Sequence, residues 1–154
     1  DGMKIARSMA LLSYRTYQGF HLTQDDHYQP KMQRKASSYQ RYQGEKLAKR
    51  FNAFSYHILS KAMDSHDVSH DRESLEHALQ EIKADTLVLN LEGDVLFPLE
   101  EQEFLAQHIK KATLITIKSR FGHDGFLIET DQIKEVVQNW QQEINKTRIN
   151  EKTA

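Results

Sequence analysis

Two regions of the chain differ in the spacing of their hydrophobic residues. Up to about residue 83, apolar side chains recur every three or four positions, the spacing of one face of an α-helix. This pattern predicts three helices separated by polar segments. The residues that carry it are Ile5, Met9 and Leu12 in the first helix, Leu47, Phe51, Phe54 and Ile58 in the second, over residues 42–63, and Leu75, Leu79 and Ile82 in the third.

Polar stretches interrupt this helical region twice. The segment "TQDDHYQPKMQRKASS", residues 23–38, contains Pro30 and no periodic apolar positions, which predicts a loop. The segment "DSHDVSHDRES" also breaks the pattern and is typical of a solvated connector. It places His66 and His70 four residues apart, a spacing that can hold a metal ion on a helix. No third ligand of clear spacing accompanies them, so the sequence predicts no metal site.

From residue 85 onward the hydrophobic pattern changes to short apolar runs. "TLVLNL" and "TLITI" are rich in branched residues and predict two buried strands. Between them, Pro98 precedes "LEEQEFLAQHI", a predicted helix whose first turn carries acids, as the helix dipole favours. A closing helix is predicted over residues 128–144, followed by a polar, frayed tail over residues 145–154.

The order of these elements predicts an α/β architecture. Strand, helix, strand and helix in succession favour two parallel strands joined by a right-handed crossover. Two strands alone do not make a stable open parallel sheet, so further strands are expected outside this chain. The chain also opens in mid-pattern with "DGMKIARSMALLSY". Both observations predict a piece of a longer protein.

Composition and charge narrow the functional classes. The 154 residues are 38% hydrophobic and 28% charged, and their formal net charge of −1 gives no sign of a nucleic-acid or membrane-surface partner. The chain has no cysteine, which excludes disulfide and thiol chemistry within it. No apolar run reaches the roughly 18 residues of a membrane span, and no signal-like segment is present. A cytoplasmic protein is therefore predicted.

Two polar residues follow the predicted strands at positions suited to catalysis. In open α/β sheets, functional residues gather just past the carboxyl ends of the strands. Asp94 follows the first strand and His123 the second, in the order of the last two triad members of an α/β-hydrolase. Taken singly, Asp94 is equally well a turn residue and His123 a surface histidine. No G-x-S-x-G nucleophile motif occurs in the chain, and Ser13, Ser55 and Ser60 fall in predicted helices.

Four segments of the chain resemble one family within that superfamily. They are "ARSMALLSYRT", "SYQRYQGEKLAKRFNAFSYHILSKAMDSHD", "VLNLEGDVLFP" and "FGHDGFLIE", which together span most of residues 6–129. With them the chain resembles the C-terminal half of the homoserine O-acetyltransferases. The resemblance implies acetyl transfer from acetyl-CoA, a substrate and not a bound cofactor, to the hydroxyl of L-homoserine in methionine biosynthesis. It implies a ping-pong cycle through an acyl-serine, with Asp94 as triad acid and His123 as triad base.

The resemblance also implies a substrate clamp and a division of the chain. Arg7, Tyr14 and Asp124 fall where the family binds the carboxylate and amino group of homoserine. Seven helical positions are nearly two turns, so Arg7 and Tyr14 are expected on one face, roughly 10 Å apart along the axis. Residues 1–83 would form a helical lid that also pairs two subunits into a homodimer. Residues 84–154 would complete the α/β-hydrolase core.

Several alternatives stay open at this stage. The donor is acetyl-CoA or succinyl-CoA, and the acceptor is homoserine or serine. A hydrolase of the same fold would use water as acceptor and would have no need of an amino-acid clamp. A third reading, from another class, is a non-catalytic helical module that associates with a copy of itself.

Overall fold

The computed structural model describes residues 1–26 and 34–153 of the chain. These residues divide into two compact units, the first running from Asp1 to Val68 and the second from Ser69 to the end of the chain. This structural division does not test the predicted functional division into a lid, residues 1–83, and a core, residues 84–154, which stays a prediction.

The first unit is helical, as the apolar spacing predicts. Helix α1 (Gly2–Tyr14) packs against α3 (Lys35–Arg50), and α2 (Tyr17–Gln24) also contacts α3. Arg15, at the end of α1, supports this packing by placing its guanidinium 4.9 Å from the centre of the Tyr39 ring on α3. The unit also contains α4 (Ala53–Asp64).

Three details of the first unit differ from the sequence prediction. The helix predicted over residues 42–63 is two helices, because Asn52 caps the second by accepting a hydrogen bond from the Ser55 N–H at 2.8 Å. The loop predicted over residues 23–38 was wrong at both ends, where α2 finishes and α3 begins, and residues 27–33 of it lie outside the described residues. The predicted apolar stripe on α1 is largely exposed; Leu11, at 2% exposure, is the buried residue of that helix.

The second unit contains two parallel strands in one sheet, which confirms the predicted strand pair. The strands run in step, from Thr86 paired with Ala112 to Leu91 paired with Ile117. Helix α6 connects them and packs against both, with α5 beside it. The elements are α5 (Leu75–Gln80), β1 (Thr86–Leu91), α6 (Leu99–His108), β2 (Ala112–Ile117), a 3-10 turn (Gly122–Asp124), α7 (Gly125–Ile128) and α8 (Thr130–Thr153).

The small core of this unit lies between the strands and their helices. The closing helix continues to Thr153, so the frayed tail predicted over residues 145–154 was wrong for residues 145–153, and residue 154 lies outside the described residues. Arg148, in that tail, donates a hydrogen bond to the carboxylate of Asp85, just before β1. A polar sequence therefore stays helical here. The buried apolar residues are Ala78, Leu79, Val88, Leu91, Ile109 and Ile117.

Among the described residues, every helix is too short or too polar to cross a lipid bilayer.

Candidate active site

The loop after β1 carries Asp94 on a tight turn. Gly93 has a φ of 74°, in the left-handed region that a residue with a Cβ seldom adopts. This turn brings the Asp94 N–H within 3.1 Å of the Leu91 carbonyl oxygen, at the last residue of the strand. Asp94 is therefore held directly at the carboxyl end of β1.

The carboxylate of Asp94 is oriented by its own loop. Its Oδ1 accepts hydrogen bonds from the Leu96 N–H at 2.8 Å and the Phe97 N–H at 3.0 Å. The Asp94 side chain is only 5% exposed. Backbone donors satisfy one oxygen, so the carboxylate is fixed with its second oxygen, Oδ2, available for another contact.

That second oxygen meets the histidine predicted as its partner. Nδ1 of His123 lies 2.9 Å from Asp94 Oδ2, and the imidazole is 20% exposed. A second left-handed glycine, Gly122 with a φ of 60°, directly precedes the histidine and begins the 3-10 turn that presents it. The structure thus brings together two residues 29 positions apart in sequence.

This contact determines which imidazole nitrogen can act as a base. A carboxylate only accepts hydrogen bonds, so Nδ1 carries the proton and donates it to Asp94 Oδ2. The lone pair is then on Nε2, which is the arrangement of a histidine that takes a proton from a nucleophile. The carboxylate also stabilises the imidazolium that forms when Nε2 is protonated.

Two aromatic rings pack against the same imidazole. The ring centres of Phe97 and Phe126 each lie 5.3 Å from that of His123 and are tilted by 52° and 59° to it. Sequence reasoning missed both residues. The signal that could have found them is their spacing, since each phenylalanine stands three positions after a candidate catalytic residue.

The third candidate residue of this unit, Asp124, directly follows His123. It is half-buried, ends the 3-10 turn and stands directly before the short helix α7. Next to it, a side chain on Gly125 would bring a Cβ within 2.6 Å of Ser119 Oγ and 2.9 Å of Leu91 Cδ1. This lack of space keeps the turn pressed against the strand end and fixes where Asp124 emerges.

The remaining two candidates, Arg7 and Tyr14, lie together on α1 of the first unit. The Arg7 guanidinium is 5.2 Å from the centre of the Tyr14 ring, and both side chains are half-buried. They therefore share one helix face, as their seven-residue spacing predicts. A cation–π contact of this kind attracts the guanidinium to the ring and so limits the positions that Arg7 can take.

No cluster of three or more histidine, cysteine or acidic residues suited to a metal ion occurs in the described ranges. His66 and His70, the pair considered from the sequence, lie between α4 and α5, outside any helix.

Comparison with known proteins gives a consistent family name. Homoserine O-acetyltransferase from Cyclobacterium marinum is 43% identical over 144 residues, which are 94% of this chain and 41% of that protein. The enzyme of the same name from Nostoc punctiforme is 39% identical over 143 residues, 90% of this chain and 40% of that protein. The chain thus spans about two fifths of the length of the curated relatives it matches. No protein-family model matches the chain.

Solved structures with the same arrangement are α/β-hydrolase-fold proteins. A homoserine O-acetyltransferase from Bacillus anthracis superposes with a TM-score of 0.76 at 19% identity, over 90% of this chain and 40% of that one. Esterase E22 superposes with a TM-score of 0.75 at 18% identity, over 90% of this chain and 41% of that one. These likenesses establish the fold, and the predicted α/β-hydrolase fold class is confirmed.

Proposed function

We infer that this chain belongs to the homoserine O-acetyltransferase family, and we propose that it supplies part of that enzyme's active site. In this proposal an acetyl group passes from acetyl-CoA to the hydroxyl of L-homoserine, a step toward methionine, through an acyl-serine. The observation that carries the proposal is the 2.9 Å contact between His123 and Asp94, in a chain 43% identical to an enzyme of that name. The nucleophilic serine would come from a part of the protein outside these 154 residues.

The acid–base pair accounts for the acylation step. Nε2 of His123 takes the proton from the serine hydroxyl as its oxygen attacks the thioester carbon of acetyl-CoA. The carbon–sulfur bond then breaks, and the CoA sulfur leaves with the proton from Nε2. The Asp94 carboxylate stabilises the imidazolium between these two events, because its Oδ2 lies against Nδ1–H.

The same pair serves the transfer step, in which the serine oxygen is the leaving group and no longer the nucleophile. Nε2 removes the proton from the homoserine hydroxyl as that oxygen attacks the acyl-serine carbonyl. The serine oxygen leaves and regains a proton from Nε2. One histidine therefore acts once as base and once as acid in each half-reaction.

The proposed clamp explains why homoserine, and not water, would be the acceptor. Arginine presents N–H groups in a planar fork that matches a carboxylate, and the Tyr14 ring supports that fork in Arg7. Asp124 offers a negative charge to an ammonium group. Each residue is thus suited by its charge to one of the two charged groups of an amino acid.

An esterase is the second candidate, favoured by one observation. Esterase E22 superposes almost as well as the Bacillus anthracis acetyltransferase, with TM-scores of 0.75 and 0.76. The fold alone does not separate the two activities. The clamp residues do, because hydrolysis of an ester needs a water molecule and no amino-acid acceptor.

The activity of the complete protein tests this proposal. Purified full-length protein with acetyl-CoA should form O-acetylhomoserine from L-homoserine, and should release free CoA much more slowly when homoserine is absent. Succinyl-CoA and L-serine, offered in place of each substrate, identify the donor and acceptor. The 154-residue chain alone should show no turnover, because it lacks a nucleophile elbow. Equal CoA release with and without homoserine would favour the esterase.

We also propose a homodimer through the helices of the first unit. Large apolar side chains of α1 and α4 are exposed there, and a groove of ≈ 480 Å³ lies between α1 and α3. Exposed apolar patches of this kind mark protein interfaces, and a symmetric pair of copies is the commonest way to cover them. The exposed side chains are Ile5, Met9, Leu12, Phe54, Ile58, Leu59 and Met63.

Light scattering over a range of concentrations tests the dimer. The complete protein should have twice the mass of one chain at micromolar concentration. Met9→Glu together with Leu12→Glu should shift it to the monomer, because two charges would be desolvated at the interface. Val95→Glu, at another exposed apolar residue outside this surface, should leave the mass unchanged. A monomer at every concentration would contradict the prediction.

A further inference from the structure

Phe97 and Phe126 pack against His123 without belonging to the core. The two residues are 50% and 47% exposed, so burial in the interior does not explain their positions. Both nevertheless approach the imidazole at the same centre-to-centre distance of 5.3 Å. Tilted aromatic pairs at this separation attract each other beyond the gain from buried area.

The hydrogen bond to Asp94 does not by itself fix the plane of the imidazole. The contact between Nδ1 and Asp94 Oδ2 holds one atom of His123. Rotation about that contact would leave the hydrogen bond intact while moving Nε2, the nitrogen that transfers the proton. Aromatic rings packed against the imidazole oppose this rotation, since any tilt drives the rings into one another.

The two loops that carry the acid and the base also place these rings. The Phe97 N–H donates to Asp94 Oδ1 at 3.0 Å, so the turn that orients the carboxylate also sets the position of Phe97. Phe126 follows His123 by three positions, and residues three apart in a helical turn lie on the same side. Between His123 and Phe126, Gly125 stands where Ser119 and Leu91 leave no room for a side chain.

We propose that Phe97 and Phe126 are positioning residues that hold the plane of the His123 imidazole and so aim Nε2 at its proton partners. The geometric part of this proposal stands on the ring contacts alone, and the kinetic part rests on the proposed function. The two phenylalanines need not touch a substrate. Because His123 serves both half-reactions, loss of either ring should slow acylation and transfer together.

Leucine substitutions in the complete protein distinguish the effect of the aromatic ring from that of an apolar side chain, because leucine keeps an apolar side chain and removes the ring. We expect Phe97→Leu and Phe126→Leu each to lower kcat for acetyl transfer roughly 10- to 100-fold, the scale that a small misplacement of a catalytic group costs. The burst of p-nitrophenol from p-nitrophenyl acetate should slow by the same factor. KM for homoserine should stay within about twofold, since no binding contact is removed. Phe97→Tyr and Phe126→Tyr, which keep the ring, should restore most of the rate.

Phe104→Leu is the matched control. Its ring also packs against a histidine, with 4.2 Å between the Phe104 and His108 ring centres, but on helix α6 and away from Asp94. This variant should keep the wild-type burst and kcat. If Phe104→Leu slowed both steps as much as Phe97→Leu, a general loss of stability would explain the effect and the proposal would be overturned.

A spectroscopic measurement tests the geometry without any turnover. The Nδ1–H proton of His123, assigned by its disappearance in His123→Gln, should give a sharp NMR signal in the complete protein. It should broaden through faster exchange with water in both leucine variants, and stay sharp in Phe104→Leu. A sharp signal and an unchanged burst in both variants would overturn the proposal. A raised KM with unchanged kcat would also overturn it, by making the rings substrate contacts.

The proposed function and the positioning role of the two phenylalanines can be refuted independently of each other. A complete protein that hydrolyses p-nitrophenyl acetate but does not acetylate homoserine would refute the proposed function. In that protein the burst and the Nδ1–H signal would still decide whether Phe97 and Phe126 hold His123.

Discussion

Replacing His123 with alanine in the complete protein should lower the rates of both half-reactions of the proposed cycle by about 10⁴- to 10⁶-fold, the range for loss of a triad member. In the proposed cycle the imidazole takes and returns a proton in acylation and again in transfer, so both steps should slow when it is lost. A stopped-flow burst with p-nitrophenyl acetate measures acylation, and formation of O-acetylhomoserine measures the full cycle. A normal burst in His123→Ala would remove the triad assignment.

Asp94→Asn should cost a comparable factor for a different reason. The amide oxygen can keep the hydrogen bonds from the Leu96 and Phe97 N–H groups. The amide NH₂ would then face Nδ1 of His123, which must become an acceptor, so the ring proton moves to Nε2. A histidine with its proton on Nε2 cannot act as base toward the nucleophile.

His108→Ala is the control for both substitutions. It removes a histidine of the same unit whose Nδ1 lies 2.8 Å from the Phe104 carbonyl oxygen on α6. We expect a burst of normal size and rate. A loss equal to that in His123→Ala would mean that the assay reports folding of the unit and not the chemistry.

Arg7→Ala should raise KM for homoserine and lower kcat/KM. The loss of transition-state stabilisation should be about 2–4 kcal/mol, the range for losing a charge-assisted contact and leaving its partner unpaired. Acylation by acetyl-CoA should change little, because no homoserine takes part in it. Arg7→Lys should recover only part of the loss, since an ammonium cannot form the two parallel hydrogen bonds of a guanidinium. Steady-state kinetics at varied homoserine, together with the burst rate, provide the measurement.

Arg15→Ala supplies the matched control for the clamp. It removes another arginine stacked on a tyrosine in the same unit, with 4.9 Å between the Arg15 guanidinium and the centre of the Tyr39 ring. We expect a small loss of thermal stability and an unchanged KM for homoserine. A burst rate that falls as far as kcat/KM in Arg7→Ala would show that Arg7 is not a homoserine ligand.

The two strands were predictable from the spacing of apolar residues, and the Asp94–His123 contact was predictable from the positions of both residues just after those strands. The change from helical spacing to short apolar runs located β1 and β2. Parallel strands place their carboxyl ends at one edge of a sheet, which brought the two candidate residues together without knowledge of any contact. The observed register confirms this reasoning, since Leu91 and Ile117 end the strands side by side.

The helix boundaries were less predictable, because they depend on capping and on surface residues. Lys35–Ser38 begin α3 although their composition is typical of a loop. Asn52 divides a continuous apolar pattern because its side chain satisfies a backbone N–H, an effect that apolar spacing does not register. At the other end of the chain, the polar residues after Ile144 remain in α8, where Arg148 bonds to Asp85.

The apolar stripe of α1 shows a further limit of the periodic pattern. Ile5, Met9 and Leu12 fall on one helix face, as predicted, yet each is more than 60% exposed. Periodicity identifies a face that avoids water but not the surface that covers it. Leu11, outside the stripe, is the residue that α1 buries. The two phenylalanines beside His123 were missed for a related reason, since an apolar pattern of helix or strand spacing does not mark exposed residues; their position three residues after Asp94 and His123 is the signal that could have found them.

The two glycines directly before Asp94 and His123 limit which amino-acid substitutions the site can accept during evolution. Gly93 and Gly122 have φ values of 74° and 60°, and each stands one position before a residue of the pair. A mutation to any residue with a Cβ would cost roughly 1 kcal/mol of backbone strain and would re-aim the next side chain. Substitution at these two positions is therefore disfavoured, even though neither glycine has a side chain to lose. The same order can be searched for in other sequences: a predicted strand followed by glycine and an acid, and later a second predicted strand followed by glycine and histidine. Such a search would find related sites in chains that have diverged too far to be aligned.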